Sequence, residues 1–254
     1  MSEVLYEVRG IAKSFGDRPI LEHVDLDIRR AEFLCWIGES GTGKSLLAKI
    51  LLGLVPTDRG TIRFDGEDVT RFRERDWLTI RRRVGVLLQS SGLFDSVNVF
   101  ENVAYGLKEQ QLLPLDGMKE RVAQSLAQVG LPGIETMMPG ELSGGMRKRV
   151  ALARAIAMRP EVLFYDGPTE GLDPVNVARV NRLLLRLRDQ LGITTIVITH
   201  QMETAFGAAD RVLLMADGRV ALEGTPRSLW GSSEPTLQPF LRIARDVLSA
   251  PRGA

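Results

Sequence analysis

Eight consecutive residues, Gly38-Glu39-Ser40-Gly41-Thr42-Gly43-Lys44-Ser45, fit the pattern G-x-x-x-x-G-K-[ST]. Such glycines let the backbone wrap closely, so that successive N–H groups point at phosphate oxygens. Lys44 supplies a point charge to the β- and γ-phosphates, and Ser45 offers a hydroxyl to Mg²⁺. A helix expected to start near Lys44, with Leu46 in its first turn, adds the positive end of its dipole. Far along the chain, Asp166 ends the apolar run Val162-Leu163-Phe164-Tyr165. A carboxylate at a strand end can hold Mg²⁺ through water. Alone it is a weak signal; with the glycine-rich loop it points to a nucleoside triphosphate with magnesium. Leu142-Ser143-Gly144-Gly145-Met146 precedes a stretch rich in Arg and Ala. Ser143 can cap a helix there, and Gly144 and Gly145 leave its first N–H groups bare. One chain with two phosphate-binding helix starts suggests a nucleotide held between two copies.

The elements that must position these groups are legible in outline. Segments 4–8, 25–28 and 61–64 are β-rich, broken by Gly10, Gly16-Asp17 and Asp65-Gly66. The continuous apolar run 33–37 suits a strand buried on both faces, and 46–54 reads as the helix after the phosphate loop. Further short apolar strands are expected at 84–88, 162–165 and 194–199. Residues from 98 to about 158 read as mostly helical, interrupted at Leu113-Pro114 and at 130–140, and 174–191 reads as another helix. Residues 212–220 read as a hairpin turning at Asp217-Gly218. Buried strands alternating with helices point to an α/β fold with a largely parallel sheet and a helical insert.

Composition bounds the function classes. Lys+Arg 33 against Asp+Glu 32 gives a formal net charge of +1, which argues against a dedicated nucleic-acid binder. A single cysteine, Cys35, excludes an intrachain disulfide framework and fits a reducing compartment; inside run 33–37 it reads as core. No apolar run reaches the 18 or so residues of a membrane span. The acidic start, Met1-Ser2-Glu3-Val4-Leu5, does not read as a signal peptide. A cytoplasmic chain is expected, with any membrane role acting through a partner.

The motifs and their order resemble the ATP-binding subunits of ABC transporters. Leu142–Met146 resembles that family's signature, with Met146 where Gln is usual. Gln89 matches the Q-loop, Gly171-Leu172-Asp173 the D-loop, His200 the switch histidine, and Phe15 the aromatic that stacks on adenine. The resemblance covers nearly the whole chain. It implies a P-loop ABC ATPase with a RecA-like core, an N-terminal antiparallel β subdomain and an inserted helical signature subdomain. The expected bounds are about 1–90 and 159–235 for the core, about 91–158 for the helical part and about 236–254 for a short C-terminal helix and tail. It further implies ATP and Mg²⁺ as cofactors. Lys44, Gln89, Asp166 and His200 would be catalytic, and Ser45, Gln89 and Asp166 would lie at the metal.

A narrower resemblance, to the ATPases of Mla/Mce-type phospholipid transporters, lies in 88–104, in Met138-Pro139-Gly140-Glu141 with the signature after it, and in Gln238-Pro239-Phe240-Leu241. It implies a membrane permease pair, an Mce-domain lipid-binding protein, often a STAS-domain regulator, and a place at the cytoplasmic face of the bacterial inner membrane. An ABC ATPase working outside transport usually carries a second cassette or a long coiled coil. This chain has one cassette and no coiled-coil heptads.

One departure bears on activity. The family normally has Glu directly after the strand-end aspartate, where it orients or deprotonates the attacking water; this chain reads Asp166-Gly167-Pro168-Thr169-Glu170. General-base assistance is worth about 10²–10⁴-fold. Three readings follow. Residual turnover relies on His200 and the Mg²⁺ site, since phosphoryl transfer is largely positioning and electrostatics. Alternatively, Glu170 substitutes. In the third, the chain is a hydrolysis-deficient ATP-binding switch or a degenerate-site subunit.

Other residues carry weaker signals. Arg71, Arg73, Arg75, Arg81, Arg82 and Arg83 flank Trp77 and Leu78, either as a solvated helix face or near anionic headgroups or permease loops. Phe94, Val97, Val99 and Phe100 are core packing or, by resemblance, line a groove for the permease's coupling helix. The last five residues, 250–254, are expected to fray or, alternatively, to contact a partner.

Overall fold

A computed structural model describes residues 3–87, 92–168 and 173–253. The chain opens on two twelve-residue strands, β1 (Val4–Phe15) and β2 (Arg18–Arg29), paired antiparallel across Gly16-Asp17. Next come β3 (Phe33–Ile37), α1 (Lys44–Leu51), β4 (Arg59–Phe64), β5 (Glu67–Asp68), α2 (Glu74–Arg82) and β6 (Val84–Leu87). The helical stretch resolves into α3 (Val99–Glu109), α4 (Leu115–Gln128) and α5 (Gly144–Ala157), broken close to where Leu113-Pro114 and segment 130–140 predict. The chain continues through β7 (Val162–Asp166), α6 (Pro174–Leu191), β8 (Thr194–Ile198), α7 (Met202–Gly207), β9 (Arg211–Ala216), β10 (Arg219–Gly224), α8 (Pro226–Trp230) and α9 (Gln238–Val247).

The strands form one ten-stranded sheet, ordered β5-β4-β1-β2-β10-β9-β3-β8-β7-β6. Its β9-β3-β8-β7-β6 half is parallel, and β5-β4-β1-β2 is an antiparallel wing. All five residues of β3 are buried. Phe33, Cys35 and Ile37 join the core under the helices, while Leu34 and Trp36 join the core under the wing, α1 and α2. That two-sided burial is why its sequence is continuously apolar rather than alternating. The β9–β10 hairpin turns through Asp217 (φ 47°) and Gly218 (φ 68°), the two positive φ angles that a type I′ turn requires.

Two expectations change. The arginine-rich stretch is not a uniformly solvated face. Arg81 donates to the carbonyls of Leu52 (3.0 Å) and Gly53 (2.9 Å) and pairs with Glu74. Nor do residues 250–253 fray: the Arg252 N–H donates to the Phe206 carbonyl (2.8 Å), its guanidinium lies 3.3 Å from Asp210, and Arg227 donates to the Gly253 carbonyl (3.2 Å).

The wing is joined to the parallel half by a four-charge cluster. Arg30, just past β2, and Arg83, between α2 and β6, both pair with Asp65 after β4 and Glu161 before β7. Hydrogen bonds from Arg83, and then from Arg30, hold the Glu161 and Asp65 carboxyls below their usual range. Lowered folded-state values stabilise the fold above the ordinary carboxylate range, and this is lost as pH falls through them. Each of the four side chains is about one-third exposed, so solvent weakens the pairing. Asp65→Asn is expected to lower the urea midpoint at pH 7, with the gap from the parent closing towards pH 3. A gap constant from pH 7 to pH 3 would remove the cluster from the acid sensitivity.

Candidate active site

The loop between β3 and α1 forms the cradle that its sequence predicts. Gly38 (φ 143°) and Gly43 (φ 97°) have backbone conformations that L side chains rarely adopt. A Cβ on Gly38 would overlap the Met215 carbonyl oxygen, and one on Gly43 would overlap the Leu21 side chain. The loop is thus pressed against β9 and β2, and only glycine fits at those two points. Gly43 also stands at the N-cap of α1 with no side-chain cap, so the first N–H groups of the helix are open to an anion.

Lys44 is 6% exposed, and its ammonium donates to the carbonyls of Gly38 (2.8 Å) and Glu39 (2.7 Å) and to Thr42 Oγ1 (3.2 Å). Burial pushes its pKa down, and the Asp166 charge opposes that shift. A phosphate would give this desolvated cation the counter-charge that the loop carbonyls only partly supply.

Ser45 and Asp166 meet across 121 residues of sequence: the Ser45 hydroxyl donates to Asp166 Oδ2 at 3.0 Å. Parallel pairing of β7 with β8 and of β8 with β3 brings the end of β7 beside the start of α1. One hydroxyl and one carboxylate make an all-oxygen pair suited to Mg²⁺, which binds few protein ligands and takes its remaining positions from phosphates and waters. Among the described residues no group of three or more His, Cys, Asp or Glu could hold a metal by itself.

A cavity of about 550 Å³ gathers Phe15, Ser40, Gly41, Gly43, Lys44, Ser45, Leu46, Asp166 and His200. Phe15 is 57% exposed at its rim, a flat surface open to a base, with the Lys13 ammonium 5.6 Å from its ring centroid. His200 enters on the segment that follows β8. Glu39 and Thr42 line an adjoining cavity of about 370 Å³ on the other side of the loop. Arg18 lines both cavities and went unnoticed in the sequence. Its only local signal is its place three residues after Phe15, across a tight turn.

The second expected half-site stands apart. Ser143 caps α5, its hydroxyl accepting from the Met146 N–H at 3.3 Å. Ser143 and Gly145 line a different cavity, between α5 and α6. Among the described residues, nothing beyond the chain neighbours and local helix backbone lies within 4 Å of a Cβ placed on Gly144 or Gly145. Crowding among the described residues therefore does not require glycine at these positions.

Gly167 has φ 62°, and its N–H donates to the Ile198 carbonyl at 2.9 Å. Asp173 caps α6, accepting from the N–H groups of Val175 (3.0 Å) and Asn176 (3.1 Å). Gln89, Glu170, Gly171 and Leu172 lie outside the described residues. Of the apolar residues after Gln89, Val99 is fully buried and Phe94 is 43% exposed, its ring tilted against that of Tyr105 with centroids 4.8 Å apart.

Comparison with known proteins agrees with this arrangement. Residues 21–170 match the family described as ABC transporter. The chain is 37% identical, over 97% of its length and 93% of the relative's, to the intermembrane phospholipid transport system ATP-binding protein MlaF of Haemophilus influenzae. It is 38% identical, over 95% of its length and 70% of the relative's, to a probable ribonucleotide transport ATP-binding protein, mkl, of Mycobacterium leprae. Among solved structures, cbiO1 of Clostridium perfringens, part of the ABC transporter complex cbiONQ, superposes with a TM-score of 0.86 at 30% identity, covering 96% of this chain and 97% of that one. The dimeric structure of MJ0796, a bacterial ABC transporter cassette, gives 0.79 at 28% identity, covering 88% and 99%. With the family match spanning more than half of the chain and a relative aligned over nearly all of it, this protein belongs to the ABC transporter family.

Proposed function

We propose that two copies of this chain close on two ATP molecules and power phospholipid movement through a membrane permease. The observation that carries the reading is the pair of glycine-bearing helix starts, at α1 and α5, which line separate cavities of one chain. A single copy cannot bring both to one nucleotide; two copies facing each other can. The glycines at 144 and 145, uncrowded within the chain, then make room for a partner's phosphates. The solved MJ0796 cassette is a dimer, and the MlaF relative is named for intermembrane phospholipid transport.

In this arrangement Phe15 stacks on the base, the loop N–H groups and Lys44 hold the β- and γ-phosphates, and Ser143–Gly145 of the second copy reach the γ-phosphate. Ser45 and Asp166, with Gln89, hold Mg²⁺, which when bound draws charge from the phosphate oxygens. His200 contacts the γ-phosphate. Water attacks that phosphorus and ADP leaves with the bridging oxygen, giving ADP and phosphate. With glycine at 167, orienting the water falls to His200 and the surrounding cradle.

We assign the RecA-like core to about 1–90 and 159–235, the helical subdomain to about 91–158, and the C-terminal helix and tail to about 236–254. The partners are a permease pair, an Mce-domain lipid-binding protein and a STAS-domain regulator. The site of action is the cytoplasmic face of the bacterial inner membrane. No helix among the described residues is long and apolar enough to cross a membrane, so the permease supplies the path. A second reading, an ATP-binding switch that barely turns over, is favoured by Gly167 alone.

The test is reconstitution of the chain with its copurifying membrane partner in proteoliposomes. ATP-dependent movement of labelled phospholipid, and not of labelled ribonucleotide, is expected. Ribonucleotide movement alone would shift the cargo to the class named for the mycobacterial relative. Movement on ATP binding, without phosphate release, would favour the switch.

A further inference from the structure

Arg18 opens β2 at the rim of the nucleotide cavity. Only Gly16 and Asp17 separate it from Phe15, the last residue of β1. Gly16 has φ 57°, the positive φ that the first central position of a type I′ or II′ turn requires. So short a turn fixes the register, and Phe15 and Arg18 are direct partners across the ladder. Direct cross-strand partners project from the same face of a sheet, with Cβ atoms about 4.5–5.5 Å apart. The two side chains therefore leave the hairpin together, and both line the nucleotide cavity.

The surroundings of Arg18 join the two ends of a nucleotide. Phe15 is the flat surface open to a base, and Ser40 and Gly41 of the phosphate loop line the same cavity. Arg18 also lines the adjoining cavity, again with Ser40 and Gly41. It thus borders the aromatic surface on one side and the phosphate loop on the other. Charge points the same way. Asp166 is the one carboxylate among the described residues lining the nucleotide cavity, and it is already bonded to Ser45. Glu22, Glu39 and Asp217 line the adjoining cavity instead, and Glu22 pairs with Arg219. Among the described residues the exposed Arg18 guanidinium has no hydrogen-bond or ion-pair partner. Lys44, by contrast, is buried under the loop carbonyls.

On the reading that this cavity holds ATP, we propose that Arg18 grips the inner phosphates, those that ATP and ADP share, and forms a clamp with Phe15. The planar guanidinium fork matches two oxygens of a phosphate. The hairpin supplies both halves of the clamp: the ring for the base, the cation for the start of the phosphate chain. Lys44 then serves the far end of that chain. Such a contact is made equally with substrate and product, so it sets affinity rather than the rate of the chemical step.

The test is calorimetric titration of ATP, ADP and GTP, each with Mg²⁺, into the full-length chain and its variants. Arg18→Gln is expected to weaken ATP and ADP alike, by about tenfold, and to leave the preference for ATP over GTP unchanged. Arg18→Lys should recover part of the loss, because an ammonium keeps the charge and lacks the fork. Arg71→Gln, which removes an exposed cation outside the cavity, should change nothing. Matching urea midpoints confirm that the variants fold. A loss for ATP that spares ADP would move Arg18 to the γ-phosphate, and an altered ATP-to-GTP ratio would move it to the edge of the base. A loss equal to that in Arg71→Gln would reduce it to diffuse attraction, and no loss would leave it solvated. Each of these four results overturns the clamp and leaves the ATP site standing. A parent chain that binds none of the three nucleotides overturns the ATP reading itself, and the clamp with it.

Discussion

Gly167→Glu is expected to raise Mg²⁺-dependent ATP turnover by about 10²-fold or more while lowering thermal stability. The gain is that of a general base placed beside the strand-end Asp166. The loss has a separate origin. Gly167 sits at φ 62°, where an L side chain costs about 1–2 kcal/mol, and its N–H is held by the Ile198 carbonyl at 2.9 Å. The same pairing ties residue 167 to the end of β8, two residues before His200, which lines the nucleotide cavity. For a chain of this size the strain corresponds to a fall in Tm of a few degrees. Gly167→Ala separates the two effects: Tm falls as for Glu, with no rise in turnover. Should the Glu variant turn over no faster than its parent, the missing carboxylate is not what limits this protein, and the cradle with His200 already positions the water.

Lys44→Ala is expected to reduce ATP turnover by about 10²–10³-fold and to abolish nucleotide-induced stabilisation. Losing a preorganised charge aimed at a transferring phosphoryl group costs on that order. Because Lys44 is buried and its charge only partly compensated, it is held for an anion rather than for the empty fold. In the parent, ATP at about 100 times its Kd should add about 2.7 kcal/mol, roughly 5–10 °C in Tm. In Lys44→Ala that increment should vanish while the nucleotide-free Tm stays near the parent's. A variant that keeps the full ATP-induced shift would move phosphate recognition away from this loop.

Much of this protein follows from local sequence. The spacing from Gly38 to Ser45 dictates a glycine-lined turn into a helix, and the structure builds it with positive φ at Gly38, Gly41 and Gly43. Leu113-Pro114 and the 130–140 segment divide the helical stretch, and Asp217-Gly218 turns the last hairpin. These are properties of backbone dihedrals and hydrophobic period, which a few neighbouring residues determine. Gly167 was equally legible as a substitution, though not its left-handed backbone.

Tertiary structure alone decided the rest. Nothing in the spacing of Ser45 and Asp166 says that they lie 3.0 Å apart; that distance follows from threading β3 between β9 and β8 and pairing β7 outside β8. Arg18 joins the nucleotide cavity only because β1 and β2 turn back beside the phosphate loop. The cavity that Ser143 and Gly145 line forms only where α5 meets α6, and the tail is tied to Phe206 and Asp210 through contacts that no local pattern announces. Short-range sequence sets which face of each element is apolar. Which faces meet is set by burying both sides of β3 at once, and that long-range packing places the cradle and the signature helix start in separate cavities.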